Sequence, residues 1–186
     1  MDDCTLRTAT AADLAHLTRI YAHAVLHGTA TFELTPPDEA EMATRFAALM
    51  RQGYPYLVAE DHSERVLGYA YAGPFRNRPA FRWSVEDSIY LAPEATGQGV
   101  GRMLLSQLLK LCEAKGFRQM IAVIGDSENT PSIRLHERAG FRTIGIFQSS
   151  GFKFGRWIDT VFMQLDLGKG SKTLPDEAEF PGTMPE

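Results

Sequence analysis

Three glycines at alternate positions, Gly97, Gly99 and Gly101, stand between a strand-like run ending at Ile89-Tyr90-Leu91 and a helical pattern that begins beside them. Glycine weakens a helix interior by roughly 1 kcal/mol relative to alanine, so its repeated use here needs a cause that only bare backbone can supply. A helix N-terminus presents unpaired N–H groups and a partial positive charge. With side chains removed, those donors can close directly around an anion such as a pyrophosphate. Arg102 adds a cation in the first turn. A tight strand-to-helix turn needing positive φ is the plainer reading, but one glycine usually satisfies such a turn. Three favour an anion cradle formed by Gly97, Gln98, Gly99, Val100, Gly101 and Arg102.

The cradle fixes a βα unit near the middle of the chain, and the flanking patterns fill in around it. Thr10-Ala11-Ala12-Asp13 reads as a helix start, followed by an apolar stripe of Leu14, Leu17, Tyr21, Ala24 and Val25. A second helix is expected from Thr35-Pro36-Pro37-Asp38, with proline at its first position and Met42, Phe46 and Leu49 on one side. Residues 56–60 and 66–71 flank a polar turn and predict a hairpin. Residues 75–81 read as a loop and 84–91 as a strand. The helix after the glycines carries Leu104, Leu105, Leu108, Leu109 and Cys112 on one face and stops near Gly116. A strand at 119–124, a short helix at 132–139 and two strands at 141–147 and 157–165 follow. Gly151-Phe152-Lys153-Phe154-Gly155 separates those last two. This order predicts an α/β domain over residues 1–167, with a mixed central sheet of six to seven strands and helices on both faces. From Gly168 the composition shifts to Gly, Lys, Pro and acids, and residues 168–186 are expected to form a poorly ordered tail.

Several function classes are disfavoured. A net charge of −4 gives no general reason for nucleic-acid binding. Cys4 and Cys112 lie far apart, without the spacing of a zinc site or a disulfide framework. His16, His23 and His27 share a stripe of the first helix, but no cysteine or acid pair completes a metal set, and a solvated polar face is preferred. The acidic, polar start lacks a signal peptide's features, and no apolar run is long enough to span a bilayer, so a cytoplasmic location is the expectation. Rival phosphate motifs fit poorly. No Lys-Ser or Lys-Thr follows the glycines as in a P-loop, and the GxGxG spacing is not the dinucleotide fingerprint.

The segment Thr96-Gly97-Gln98-Gly99-Val100-Gly101, with its strand and helix, resembles the acetyl-CoA motif of the GNAT superfamily of N-acetyltransferases, [QR]xxGx[GA]. Thr96 departs from it, standing where Gln or Arg is usual. Further stretches, from Trp83 to Leu91, Ala122-Val123-Ile124, residues 129–132, Leu135-His136-Glu137 and residues 151–157 through Gln164-Leu165, resemble phosphinothricin acetyltransferases and the methionine sulfoximine and methionine sulfone acetyltransferases. The match runs from about Thr5 to Leu167.

That resemblance implies roles. An amine must lose its proton before it can attack a thioester, which calls for a base. Glu86 matches the position of the family's base; strand alternation alone would equally let it face solvent. His136 matches a histidine proposed to assist catalysis, although a lone helical histidine is more often held structurally. Ile89, Tyr90 and Leu91 are implied to bind the pantetheine arm through main-chain atoms where the strand splays from its neighbour, with an N–H near Leu91 polarising the thioester carbonyl. Asn129 matches a cofactor contact and reads equally well as a helix cap. Leu105 stands where relatives can carry a proton-donating tyrosine. Substrate contacts are implied near Pro79-Ala80-Phe81, with Phe32, Arg76 and Arg78 as further pocket candidates, the arginines suited to a carboxylate. Lys153 and Trp157 read as packing, dimer contact or pocket wall. The expectation is an acetyl-CoA-dependent enzyme acting without a metal on the α-amine of a small L-amino-acid analogue, as a homodimer. A GNAT enzyme for a protein N-terminus, polyamine or aminoglycoside, or an acyl-CoA-binding module without turnover, are the alternatives.

Overall fold

The structure, a computed structural model, describes residues 4–179. Seven strands form one sheet in the order β1 (Cys4–Thr8), β2 (Tyr56–Asp61), β3 (Val66–Pro74), β4 (Ser84–Leu91), β5 (Gln119–Gly125), β7 (Arg156–Asp166), β6 (Arg142–Lys153). Every neighbouring pair is antiparallel except β4 and β5. A parallel pair needs a crossover, and α3 (Val100–Ala114) supplies it.

Alternation along β4 shows how the helices are distributed. Tyr90 meets Tyr21 of α1 (Leu14–His27) edge to face, and Phe46 of α2 (Glu39–Arg51) packs likewise on Tyr56 of β2. Tyr56, Tyr69, Tyr71 and Tyr90 share this face of the sheet. Leu91, on the opposite face, lies beside Gly101 of α3. Leu104, Leu105, Leu108 and Cys112 are buried there, as their helical spacing requires. The sheet therefore carries helices on both faces, as expected.

Three boundaries differ from the sequence reading. The second helix starts at Glu39, with Asp38 as its cap accepting from Glu41 N at 2.8 Å; the two prolines precede the cap instead of occupying the first turn. The short helix α4 begins at Thr130, two residues early, because Asn129 caps it. The Gly-rich separator is mostly strand: β6 runs on to Lys153, and Phe154 and Gly155 alone make the turn, with φ of 53° and 72°. Left-handed conformation at both central residues suits a two-residue hairpin. Beyond Gly168, short 3-10 turns occur at Gly170–Lys172 and Glu177–Glu179, and Arg118 donates to Thr173 Oγ1 at 2.9 Å and to the Leu174 carbonyl at 3.0 Å. The remainder of the expected tail lies outside the described residues. Among the described residues no helix is long and apolar enough to cross a membrane.

Candidate active site

β4 and β5 pair over three positions only: Ser84 with Gln119, Val85 with Met120, and Glu86 with Ile121. Past Glu86 the strands part, and the β5-facing main-chain groups of β4 have no strand partner. Buried or semi-buried backbone polar groups need partners, so this fork is a ready-made site for a ligand with amide groups. The wedge it opens is walled by residues 86–90 of β4, 122–125 of β5, Asn129, Ser132 and His136 around α4 (Thr130–Arg138), and Ala30, Thr31 and Phe32 of the α1–α2 loop.

Alternation divides the wedge chemically. Glu86, Ser88 and Tyr90 point to the α1–α2 side; Asp87, Ile89 and Leu91 point to the α3–α4 side. Glu86 is half-buried, and burial together with the Asp87 charge raises its pKa to about 7, against the opposing pull of Arg76. It is the last β4 residue paired to β5, so its carboxylate sits at the crotch of the fork.

Asp87 and His136 form a buried pair across the other face. His136 Nδ1 donates to the Ser132 carbonyl at 2.8 Å, and Nε2 lies 3.0 Å from Asp87 Oδ2. Both partners are acceptors, which favours the doubly protonated ring. Burial pulls the pKa of His136 down, but the hydrogen bond and charge of Asp87 and the Ser132 carbonyl outweigh it, so the net direction is up. Asp87 Oδ1 is buried with no hydrogen-bond partner among the described residues. His136 thus has both ring nitrogens engaged.

At the end of β4 the glycines divide their labour. Gly97 and Gly99 have φ of 79° and 83°, which side-chain-bearing residues rarely adopt. A Cβ on Gly97 would meet nothing within 4 Å, so the space above the loop is open. Gly101 is different: it lies inside α3, where a Cβ would touch Leu91 and Leu135 at 3.5 Å, an ordinary contact. Val100, Gly101 and Arg102 are the first residues of α3, and their N–H groups have no carbonyl one turn earlier within the helix. Gln98 turns its amide back onto the Glu94 carbonyl at 2.6 Å, bracing the loop from outside. Thr96 is exposed.

The other predicted residues scatter more. Asn129 lines the wedge and also caps α4, accepting from Ser132 N at 3.3 Å. Phe32 lines the wedge opposite Glu86. Arg76 stacks on Phe75 at 4.6 Å and is near enough to Glu86 to affect its titration. Arg78, Pro79, Ala80 and Phe81 form the exposed β3–β4 connection and are not part of the wedge wall. Leu105 is fully buried in the α3 core. Among the described residues no group of three or more His, Cys, Asp or Glu could hold a metal ion. The sequence reading passed over Asp87 and Thr31. Two consecutive acids on a strand covered on both faces were the signal for Asp87, since one of them must face each side.

A family model described as an acetyltransferase (GNAT) domain matches residues 6–162. The chain is 53% identical over 173 residues to a phosphinothricin N-acetyltransferase of Alcaligenes faecalis, covering 93% of this chain and 87% of that one. It is 44% identical over 163 residues to an L-methionine sulfoximine/L-methionine sulfone acetyltransferase of Pseudomonas aeruginosa, covering 88% and 94%. A crystal structure of a GNAT superfamily phosphinothricin acetyltransferase from Sinorhizobium meliloti in complex with AcCoA superposes with a TM-score of 0.94, at 55% identity and 97% coverage of both chains.

Proposed function

Since the chain belongs to the GNAT acetyltransferase family, we propose that it acetylates the α-amine of a small L-amino-acid analogue, with phosphinothricin, methionine sulfoximine and methionine sulfone as the leading acceptors. The chain is an acetyl-CoA-dependent N-acetyltransferase. The observation that carries the reading of its site is the carboxylate of Glu86 at the fork, with its pKa raised to about 7, facing a wedge that Ala30, Thr31 and Phe32 also line.

The residues present fit acetyl-CoA. Open space over Gly97, left-handed backbone at Gly97 and Gly99 and free N–H groups at the start of α3 suit a diphosphate. The unpaired edge at Ile89, Tyr90 and Leu91 suits the amides of a pantetheine arm, and an N–H near Leu91 suits the thioester carbonyl. Bound, acetyl-CoA supplies the thioester whose acyl group ends on nitrogen. Glu86 takes a proton from the incoming ammonium, which frees the lone pair that attacks. With a pKa near the working pH, the carboxylate is ionised often enough to accept that proton and basic enough to hold it. Arg76 is suited to the acceptor's carboxylate. His136 and Asp87 hold α4 against β4 on the coenzyme side, fixing the wedge's width. Transfer is direct, in a ternary complex. Cys112 is buried in α3 with its thiol pushed up to about 12, and neither cysteine lines the wedge.

Two further assignments belong to this reading. The outer surface of the β6–β7 hairpin exposes Ile144, Ile146, Phe147, Phe152, Phe154 and Trp157, an apolar area suited to a second copy of the chain. Two unpaired thiols accord with a reducing compartment, and we place the enzyme in the cytoplasm. A thiol-release assay with the three named analogues beside a polyamine, an aminoglycoside and a peptide N-terminus tests the substrate. Turnover confined to one of the latter three would replace the proposed acceptor class, and coenzyme binding without turnover on any amine would make the chain a binding module.

A further inference from the structure

The loop between α1 and α2, residues 28–33, has no ladder or helix of its own, yet Thr31 within it is buried. It lends Ala30, Thr31 and Phe32 to the same wedge as Glu86. Backbone in that situation must find partners elsewhere, and here they come from β6, more than 120 residues away. Lys153 Nζ donates to the Gly28 carbonyl at 2.8 Å and to the Thr31 carbonyl at 2.8 Å. Its neighbours Phe152 and Phe154 are exposed while Lys153 itself is 3% exposed, the reverse of what their chemistry would choose. No carboxylate pairs with it among the described residues. A buried ammonium is costly unless hydrogen-bonded, so its placement is tied to those two carbonyls. Burial lowers its pKa from the ordinary lysine value, with Glu33 working the other way.

A second contact from the same strand acts on the loop. A Cβ on Gly151 would lie 2.3 Å from the Phe32 ring, so the ring rests directly on that glycine's backbone. Gly151 is not among the residues with positive φ, and close approach is therefore the reason for glycine here. On β5, which forms one arm of the fork, Gly125 does the same for the Thr29 carbonyl, at 1.9 Å. From these contacts we infer that Lys153 and Gly151 are the positioning residues of the acceptor pocket. They set the height of the 28–33 loop and hence the room that Phe32 leaves for the acceptor's side chain in front of Glu86. The inference rests on the acceptor lying on that side of the fork, as in the function proposed above.

Two single variants of the full chain test it. Lys153→Met keeps the apolar stem and removes the donors; Gly151→Ala keeps the ammonium and displaces the ring. In each, the acceptor KM should rise at least about tenfold while the acetyl-CoA KM stays within about threefold. Hydrogen exchange at the amides of Gly28 and Glu33, both hydrogen-bonded in this structure, should quicken at least about tenfold, with residues 97–102 unchanged. A merely structural role would lower the thermal midpoint and speed exchange across the sheet without separating the two KM values. That result, or unchanged acceptor KM and loop exchange in both variants, overturns the inference. If Lys153→Met does not fold, Gly151→Ala carries both readings alone. If the parent chain acetylates no amino-acid analogue, the proposed substrate class fails on its own, and the exchange measurement still decides the role of Lys153 and Gly151.

Discussion

At the level of single residues, Glu86 and Asp87 show how adjacency in sequence becomes separation in space. Both are acids, one peptide apart, yet one faces the α1–α2 side of the fork and the other is locked to His136. Because Glu86 has its pKa raised to about 7, it is protonated below that value and cannot accept a proton there. The rate of acetyl transfer, followed as kcat/KM of the acceptor, should therefore climb with pH and level off with an apparent pKa near 7. Glu86→Gln should flatten that limb and lower kcat by roughly a hundredfold or more, leaving the acetyl-CoA KM within about threefold. The same shift has a stability sign. The folded chain holds a proton on Glu86 that the unfolded chain releases from about pH 4.5, so this group's contribution to stability falls as pH rises from there to about 7. Denaturant midpoints of parent and Glu86→Gln between pH 5 and 8 should converge at the acidic end and separate above it, the variant being the more stable at pH 8.

Among the elements, the start of α3 was legible and its reason was only partly so. Alternating glycines before an apolar helix mark a turn that needs bare backbone, but the spacing alone does not say which glycine serves which end. Gly97 and Gly99 answer to backbone conformation, Gly101 to the packing of Leu91 and Leu135. Gly97→Ala places a methyl in open space on a strained φ, so it should cost about 1 kcal/mol of stability and raise the acetyl-CoA KM about tenfold, with the acceptor KM little changed; thermal melts and initial rates would check both. Other element ends resisted for physical reasons. Pro36 and Pro37 looked like a helix's first turn because proline tolerates that position, yet Asp38, with a side-chain acceptor, is the stronger cap. Gly151 looked like a breaker. It is a strand residue whose missing side chain makes room for Phe32, a partner no local pattern can reveal.

For the whole molecule, strand and helix order sufficed for the class of fold. What stayed hidden depends on distant pairs. The fork is a property of β4 and β5 together, and neither strand's sequence marks where pairing stops. Lys153 reads equally as packing, dimer contact or pocket wall until the 28–33 loop is placed over it. The exposed apolar residues of the hairpin likewise read as ordinary strand until β6 is placed at the edge of the sheet, where most of its side chains stay uncovered. Sedimentation should give about twice the chain mass of 20.7 kDa, and Ile146→Asp, which puts a charge among those residues, should return it to the single-chain value.

Only three rungs join β4 to β5, so the first four strands and the last three share a short ladder, helped by the Asp87–His136 pair and by Lys153 on the 28–33 loop. A coenzyme lying in the fork would act as a rivet between two plates, drawing them into one rigid body. The unloaded chain would breathe at that seam, where Glu86 also sits, and loading would then fix the distances around its carboxylate.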